Sequence, residues 1–359
     1  NFQHLAAETS EYVSKAQIDQ LTQWTTAEHA RCVEHFEKRK AGGFIRECHG
    51  DLHLGNIALV DEKIVIFDCI EFSEQFRWID VMSEVAFVVM DLIDRSAPSL
   101  GWRLLNAYVE QTGDYEGLHL LPYYMTYRAM VRAKVTGIRL AQAGPKGSEH
   151  AKLAEELNKY LALAISFTTP PHPGLIITHG LSGSGKTTVS QSLLESLGAI
   201  RIRSDIERKR LLGLSQEERT TAQKIPLVYS KNSTEATYVQ LEKLARTILQ
   251  SGLSVIVDAT FLKQAYREKF YQSAKELGLP FVILDIRAPE AILRQRIVSR
   301  RQEGQDASEA DISVLDQQLS KDEPITPTEQ PHVLKVETEH PHYLNNMLTG
   351  IYNRLNTPT

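Results

Sequence analysis

Residues Gly180-Leu-Ser-Gly-Ser-Gly185-Lys186-Thr187 constrain this chain more than any other stretch. They fit the spacing GxxxxGK[ST], and their flanks fit as well. Leu175 to Thr178 reads as a buried strand and Val189 to Leu197 as a helix. Glycines let backbone N–H groups turn inward onto phosphate oxygens with no Cβ in the way. The helix that follows adds the positive end of its dipole. The candidate cradle is Gly180, Ser182, Gly183, Ser184, Gly185, Lys186, Thr187 and Thr188. Lys186 is spaced to reach the outer phosphates of a nucleoside triphosphate, and Thr187 to offer a hydroxyl to Mg2+. The plain alternative, a glycine-rich turn that only joins strand to helix, is outweighed by that order of strand, loop and helix.

The chain has 359 residues, room for two or three domains with separate cores. Its net charge of −5 counts against a protein that coats nucleic acid. The three cysteines, Cys32, Cys48 and Cys69, lie far apart with no CxxC spacing. That fits a reducing cytoplasm better than a disulfide scaffold or a zinc site. No apolar run approaches the ~20 residues that span a bilayer, and no signal peptide is evident. A cytoplasmic protein without a membrane partner is therefore expected. The first residue is Asn1 rather than Met, which suggests part of something longer.

Thr168-Thr-Pro-Pro-His-Pro-Gly174 is the clearest boundary, because it can continue neither a helix nor a central strand. Before it, residues 1–48 and 83–167 read as helical, with Val13, Leu21, Trp24 and Phe36 as core positions of the first stretch. Between them lie two short strands, Ile57 to Val60 and Lys63 to Phe67, joined by a tight turn at Asp61-Glu62. After the boundary, strands at 175–178, 199–203, 253–257, 281–286 and 332–336 alternate with helices. Short, wholly apolar strands of this kind belong to a parallel sheet covered on both faces. Ligands then bind at the carboxyl ends of the strands.

The polar residues of interest sit at those ends. Val255-Ile-Val-Asp258 is an apolar strand ending in a carboxylate suited to Mg2+, held directly or through water. Arg203-Ser-Asp205-Ile-Glu-Arg208 follows the second strand. If a helix starts there, Asp205 and Arg208 share a face. Asp205 would take a proton from an attacking hydroxyl and Arg208 would hold the acceptor or a phosphate. The alternative is an N-cap aspartate beside a surface arginine. Arg296 and Arg300, four apart, project together from a helix over Ala291 to Arg301. Gly304 to Ser308 would end that helix and start another.

The succession GLSGSGKTT, RSDIERKR, VDAT and RQRIVSRRQEGQDASEAD resembles the small P-loop kinases grouped with polynucleotide kinase and chloramphenicol phosphotransferase, over roughly 175–325. The resemblance implies ATP and Mg2+ as cofactors, Asp205 as general base, and Arg296 or Arg300 as the lid arginine over the triphosphate.

His49-Gly-Asp51-Leu-His-Leu-Gly-Asn56, followed by Ile66-Phe-Asp68, has the spacing of a kinase catalytic loop and metal-binding aspartate. These motifs, with Arg77-Trp-Ile-Asp80, resemble the aminoglycoside phosphotransferase and choline kinase branch over about 10–165. The resemblance implies Asp51 as base and Asn56 and Asp68 as Mg2+ ligands. His53 reads as a packing or hydrogen-bonding residue. The departure is at the front. Only 48 residues precede His49, and Gly42-Gly43 is no glycine-rich nucleotide loop. This half should lack its nucleotide lobe.

The expected architecture is therefore mixed. A mostly helical kinase-like C-lobe (α+β) covers 1–167, a linker 168–174, and an α/β P-loop kinase domain with a five-stranded parallel sheet 175–359. The whole resembles a bacterial fusion of the two types. The expected function is ATP-dependent phosphorylation of a small-molecule hydroxyl in the P-loop domain. Two alternatives stand beside it: a P-loop enzyme regulated by a non-catalytic, ligand-binding first half, and a nucleic-acid end kinase. The overall acidity disfavours the last.

Overall fold

The structure, a computed structural model, describes residues 12–143, 147–169, 172–215, 230–303, 311–340 and 342–355, without the side chains of 300–303. The chain clusters into two compact units. The first is Asn1–Leu105 with Glu116–Pro170, and the second is Asn106–Tyr115 with Pro171–Thr359.

The first unit opens with α1 (Lys15–Ala41). Gly42 and Gly43 end it: Gly42 N donates back to Lys38 O, and Gly43 has φ +75°. The expected helix through residue 48 therefore gives way to β1 (Ile45–Glu47), which pairs antiparallel with β4 (Trp78–Asp80). The Gly-Gly stop is visible in the sequence, but the partner strand lies 33 residues away. Of the four core positions expected in this stretch, Val13 and Leu21 are buried, while Trp24 and Phe36 are half-buried. The hairpin β2 (Ile57–Val60) and β3 (Lys63–Ile66) forms with Asp61 and Glu62 both at positive φ, the geometry of a two-residue turn that matches strand twist.

The short α2 (Glu74–Arg77) leads into β4, and then come α3 (Val81–Asp94), α4 (Pro98–Thr112), α5 (Leu121–Gln142) and α6 (Ser148–Ser166). Helices α3 and α6 both pack on α5, around Phe87, Met90, Met125, Ala129, Leu157 and Leu161. Arg39 joins α1 to the start of α3 through a buried two-bonded pair with Asp80, at 2.7 Å for each bond. Asp80 also caps α3 by accepting from Met82 N.

The second unit is the expected α/β layer structure. Its strands are β5 (Leu175–His179), β6 (Ile200–Arg203), β7 (Val255–Asp258), β8 (Phe281–Arg287) and β9 (Val333–Glu337). All pair in parallel, in the order β6-β7-β5-β8-β9. Between them run α7 (Lys186–Leu197), α8 (Ser204–Leu211), α9 (Lys231–Gln250), α10 (Gln264–Glu276), α11 (Glu290–Glu303), α12 (Ile312–Lys321) and, last, α13 (Tyr343–Leu355). Val189, Leu193 and Leu194 of α7 and Met347 and Ile351 of α13 close one core over Ile176, Ile256, Val282 and Leu284. Alternate strand residues such as Ile177 and Val257 are equally buried, and α9 and α10 pack on these same strands. Burial on both faces is why the strands read as unbroken apolar runs.

Residues 106–115 cluster with this unit. Asn106 meets the edge strand as a neighbouring strand would. Its Nδ2 donates to Ala199 O at 2.9 Å and its Oδ1 accepts from Arg201 N at 2.7 Å. No helix among the described residues is long and apolar enough to cross a membrane.

Candidate active site

The loop after β5 folds over the first turn of α7, as the spacing of its glycines requires. Gly183 has φ +83°, and a Cβ there would lie 2.7 Å from the Leu293 carbonyl of α11. Only glycine allows the loop and α11 to approach so closely. Lys186 Nζ folds back to donate to Leu181 O at 2.8 Å. Ser184 Oγ is buried with no hydrogen-bond partner among the described residues.

Asp258 ends β7, only 5% exposed, and accepts from Ser190 Oγ at 3.1 Å. Arg203 at the end of β6 is its register partner. The chain turns into α8 at Ser204, so Asp205 stands in the first helical turn. Arg203, not Asp205, is the N-cap, and it makes no side-chain cap bond. Asp205 Oδ1 lies 3.6 Å from Arg208 Nη1, the shared face expected from their spacing.

These elements enclose a cavity of about 640 Å3, lined by Lys186, Thr187, Asp205, Arg208, Asp258 and Arg296 among others. Ser182, Gly183, Gly185 and Thr188 line it too. Gly180 and Ser184 do not: Gly180 N is used by Thr260 O at 3.1 Å, which fixes the loop to the end of β7. Arg296 reaches the loop from α11, donating to Gly183 O at 3.4 Å and Thr338 Oγ1 at 3.0 Å and pairing with Glu339. The side chain of Arg300 and the connection Gly304–Ser308 lie outside the described residues. Helices α11 and α12 form the expected arginine-bearing pair, tied by Arg294 to Asp316 at 2.7 Å.

Sequence reasoning missed the rest of the wall. Thr260, Lys263 and Tyr266 follow β7, Lys231, Thr234 and Tyr238 come from α9, and Gln318 and Lys321 from α12. Tyr238 and Tyr266 stack with ring centres 3.9 Å apart and planes within 4°. Residues within a few positions of a strand's carboxyl end carry a signal, so Thr260 and Lys263 were findable. Nothing local marks Tyr238 in the middle of an amphipathic helix.

Asp51 and Asn56 come together in the first unit, and Asp68 lies two residues past the end of β3. Asn56 Nδ2 donates to Asp51 O at 3.0 Å, and Phe67 N donates to Asn56 O at 3.1 Å, which brings the end of β3 to the loop. A hydrogen bond with His53 holds the Asp51 carboxyl below its ordinary range, against the effect of its partial burial. His53 itself accepts from Gly55 N through Nδ1, the hydrogen-bonding role expected of it. Two acids on α3 hold the loop, also unforeseen. Glu84 accepts from Gly50 N at 2.7 Å and Leu52 N at 3.1 Å, and Asp91 accepts from Leu54 N at 2.8 Å. Their signal was two acids inside the mostly apolar run Val81–Ile93, where burial demands partners.

A model of the family described as an AAA domain matches residues 175–325. Uncharacterized proteins of Mycobacterium tuberculosis and Mycobacterium bovis are 30% identical over 273 residues, 76% of this chain and 54% of theirs. The chain thus spans about half the length of the curated relatives it matches. Among solved structures, a gluconokinase from Sinorhizobium meliloti is 25% identical with a TM-score of 0.35, over 52% of this chain and 95% of its own. Kti12 from Chaetomium thermophilum, solved with ADP-AlF3, is 19% identical with a TM-score of 0.41, over 51% and 100%. A sugar kinase from Janibacter is 17% identical with a TM-score of 0.39, over 50% and 95%.

Proposed function

We propose that the second unit is an ATP- and Mg2+-dependent phosphotransferase acting on an acceptor hydroxyl. One observation carries this reading: Lys186, Thr187, Asp258 and Asp205 line a single cavity at the carboxyl ends of β5, β6 and β7. The donor set fits the cofactors. The loop offers backbone N–H groups and a lysine to phosphates, and Thr187 and Asp258 offer the hard oxygens Mg2+ prefers. Bound Mg-ATP would supply the phosphoryl group and its charge-neutralising metal. Asp205 takes the acceptor's hydroxyl proton, and Arg208 beside it orients the incoming group. Arg296, on the lid side of the loop, meets charge that develops on the triphosphate.

The test is Asp205→Asn in the full chain. Turnover should fall about 100- to 10,000-fold, the usual worth of a positioned base, while Mg-ATP affinity by calorimetry stays within a few-fold. Loss of both would make Asp205 a metal or structural residue. Loss of neither would remove it from the chemistry.

For the first unit we propose an aminoglycoside-phosphotransferase-like module that is silent in this chain. The Asp51–Asn56 hydrogen bond and the loop's attachment to α3 support that reading. Phosphoryl transfer depends on positioning the triphosphate, and residues 1–167 contain no GxGxxG nucleotide loop. Lys186→Ala in the same chain should retain no acceptor-dependent turnover. Residual turnover that disappears on adding Asp51→Asn would show the first unit to be active.

A further inference from the structure

The phosphotransferase reading leaves the acceptor open, and the inference drawn here rests on that reading. Sheet order divides the cavity. Strands β8 and β9 lie on one side of β5, and from that side comes Arg296. Strands β6 and β7 lie on the other side. From there come Asp205 and Arg208 after β6, and Lys263 and Tyr266 after β7, while Lys231 starts α9.

The lining is markedly cationic. Beyond Lys186 and Arg296, which serve the triphosphate, it holds Arg203, Arg208, Lys231, Lys263 and Lys321, against the two carboxylates Asp205 and Asp258. Mg-ATP would bring a net charge of only about −2, and Asp258 would be engaged by the metal. Arg203 is offset by Glu110 at 3.5 Å, and Arg208 by Asp205 at 3.6 Å. Lys231, Lys263 and Lys321 make no ion pair among the described residues. Three solvent-exposed lysines therefore line the cavity with charge that the nucleotide does not neutralise. Such a field concentrates anions and repels cations. The stacked Tyr238–Tyr266 pair adds a flat apolar wall on the same side, pinned by Phe261 N donating to Tyr238 Oη at 3.0 Å.

We infer that the acceptor is a small hydroxyl compound that already carries an anionic group, phosphate or carboxylate. Lys231 and Lys263 meet the anion while the hydroxyl faces Asp205. Neutral sugars are poor acceptors, and polycationic amino sugars are the poorest.

The test uses the full chain and a panel matched in carbon skeleton: glucose, glucosamine, gluconate and glucose 6-phosphate, with the three-carbon set glycerol, glycerate and glycerol 3-phosphate. Two readouts are taken, ADP release under saturating Mg-ATP and calorimetric binding to the Mg-ADP complex. Anionic members should show kcat/KM at least tenfold above their neutral partners. The Lys231→Met, Lys263→Met double variant should raise the anionic acceptor's KM about five- to twentyfold, with two- to fivefold from each lysine, and leave the KM for ATP in place. Comparing carboxylate with phosphate within each skeleton identifies the group. Anionic compounds that bind in the millimolar range and are weakened by the double variant, but are never phosphorylated, would uphold the anion site and overturn the phosphotransferase reading. A neutral or cationic best acceptor would uphold that reading and overturn the inference. Binding of no anionic member in the millimolar range would also overturn the inference.

Discussion

Gln318 Oε1 accepts a hydrogen bond of 2.8 Å from Ser182 N. Helix α12 thereby engages an amide of the loop proposed to hold phosphate. Nucleotide must compete with that side chain. In Gln318→Ala, Mg-ATP should bind about two- to tenfold more tightly, the worth of one net hydrogen bond removed from the nucleotide-free state. Calorimetry checks it. Weaker binding would mean that Gln318 contacts the nucleotide instead.

Lys186 is the cation placed inside the loop, held to Leu181 O. Lys186→Ala should remove most Mg-ATP binding, because its charge-assisted contact to the outer phosphates has no replacement there. Unchanged affinity in that variant would sink the assignment of the loop.

Arg267 is fully buried in α10 and grips Glu329 through two bonds of 2.6 and 3.1 Å. It also donates to the carbonyls of Phe261, Glu323 and Pro324. These bonds fasten the chain that leaves α12 to the base of the second unit. Arg267→Met would strand a buried carboxylate and cost about 3 to 5 kcal/mol of stability. Denaturant unfolding measures the loss. A cost below about 1 kcal/mol would show that the clasp relaxes.

Two histidine sites should respond to pH with opposite signs. His179 sits between Asp285 and Asp322, at 3.0 and 3.3 Å. Burial works against its charge, but those two hydrogen bonds outweigh burial and raise its pKa above the ordinary histidine value. A raised folded pKa gives stability that is full below the unfolded value and lost as pH climbs through the folded one. The stacked pair His35 and His119 in the first unit is shifted the other way, by desolvation above all. Its contribution is full at neutral pH and lost as pH falls below about 6.5. His179→Gln should flatten the alkaline loss of stability and His119→Gln the acidic loss, read by thermal unfolding from pH 5 to 9. An unchanged alkaline limb in His179→Gln would refute the first assignment.

Local patterns carried far in this chain. The five strands and their helices follow from short apolar runs, because burial on both faces leaves no place for polar residues. Each predicted strand lies within two residues of the observed one, the margin over which terminal hydrogen bonds fray. Lys186, Thr187, Asp205, Arg208, Asp258 and Arg296 line one cavity because a parallel sheet delivers all its strand ends to one edge.

What the sequence could not show depends on pairs far apart in the chain. Strand β1 needed β4, and the loop at His49–Asn56 needed Glu84 and Asp91. The tyrosine wall needed α9 to meet the start of α10. The sequence placed a boundary at 168–174, yet residues 106–115 cluster with the second unit through the Asn106 side chain, which satisfies an edge strand 93 residues on. By itself the sequence determined which groups stand at the strand ends, since that depends on spacing and burial along one segment. Only tertiary structure decided which distant side chains share their cavity, because a hydrogen bond or a stacked ring depends on proximity that no local pattern encodes.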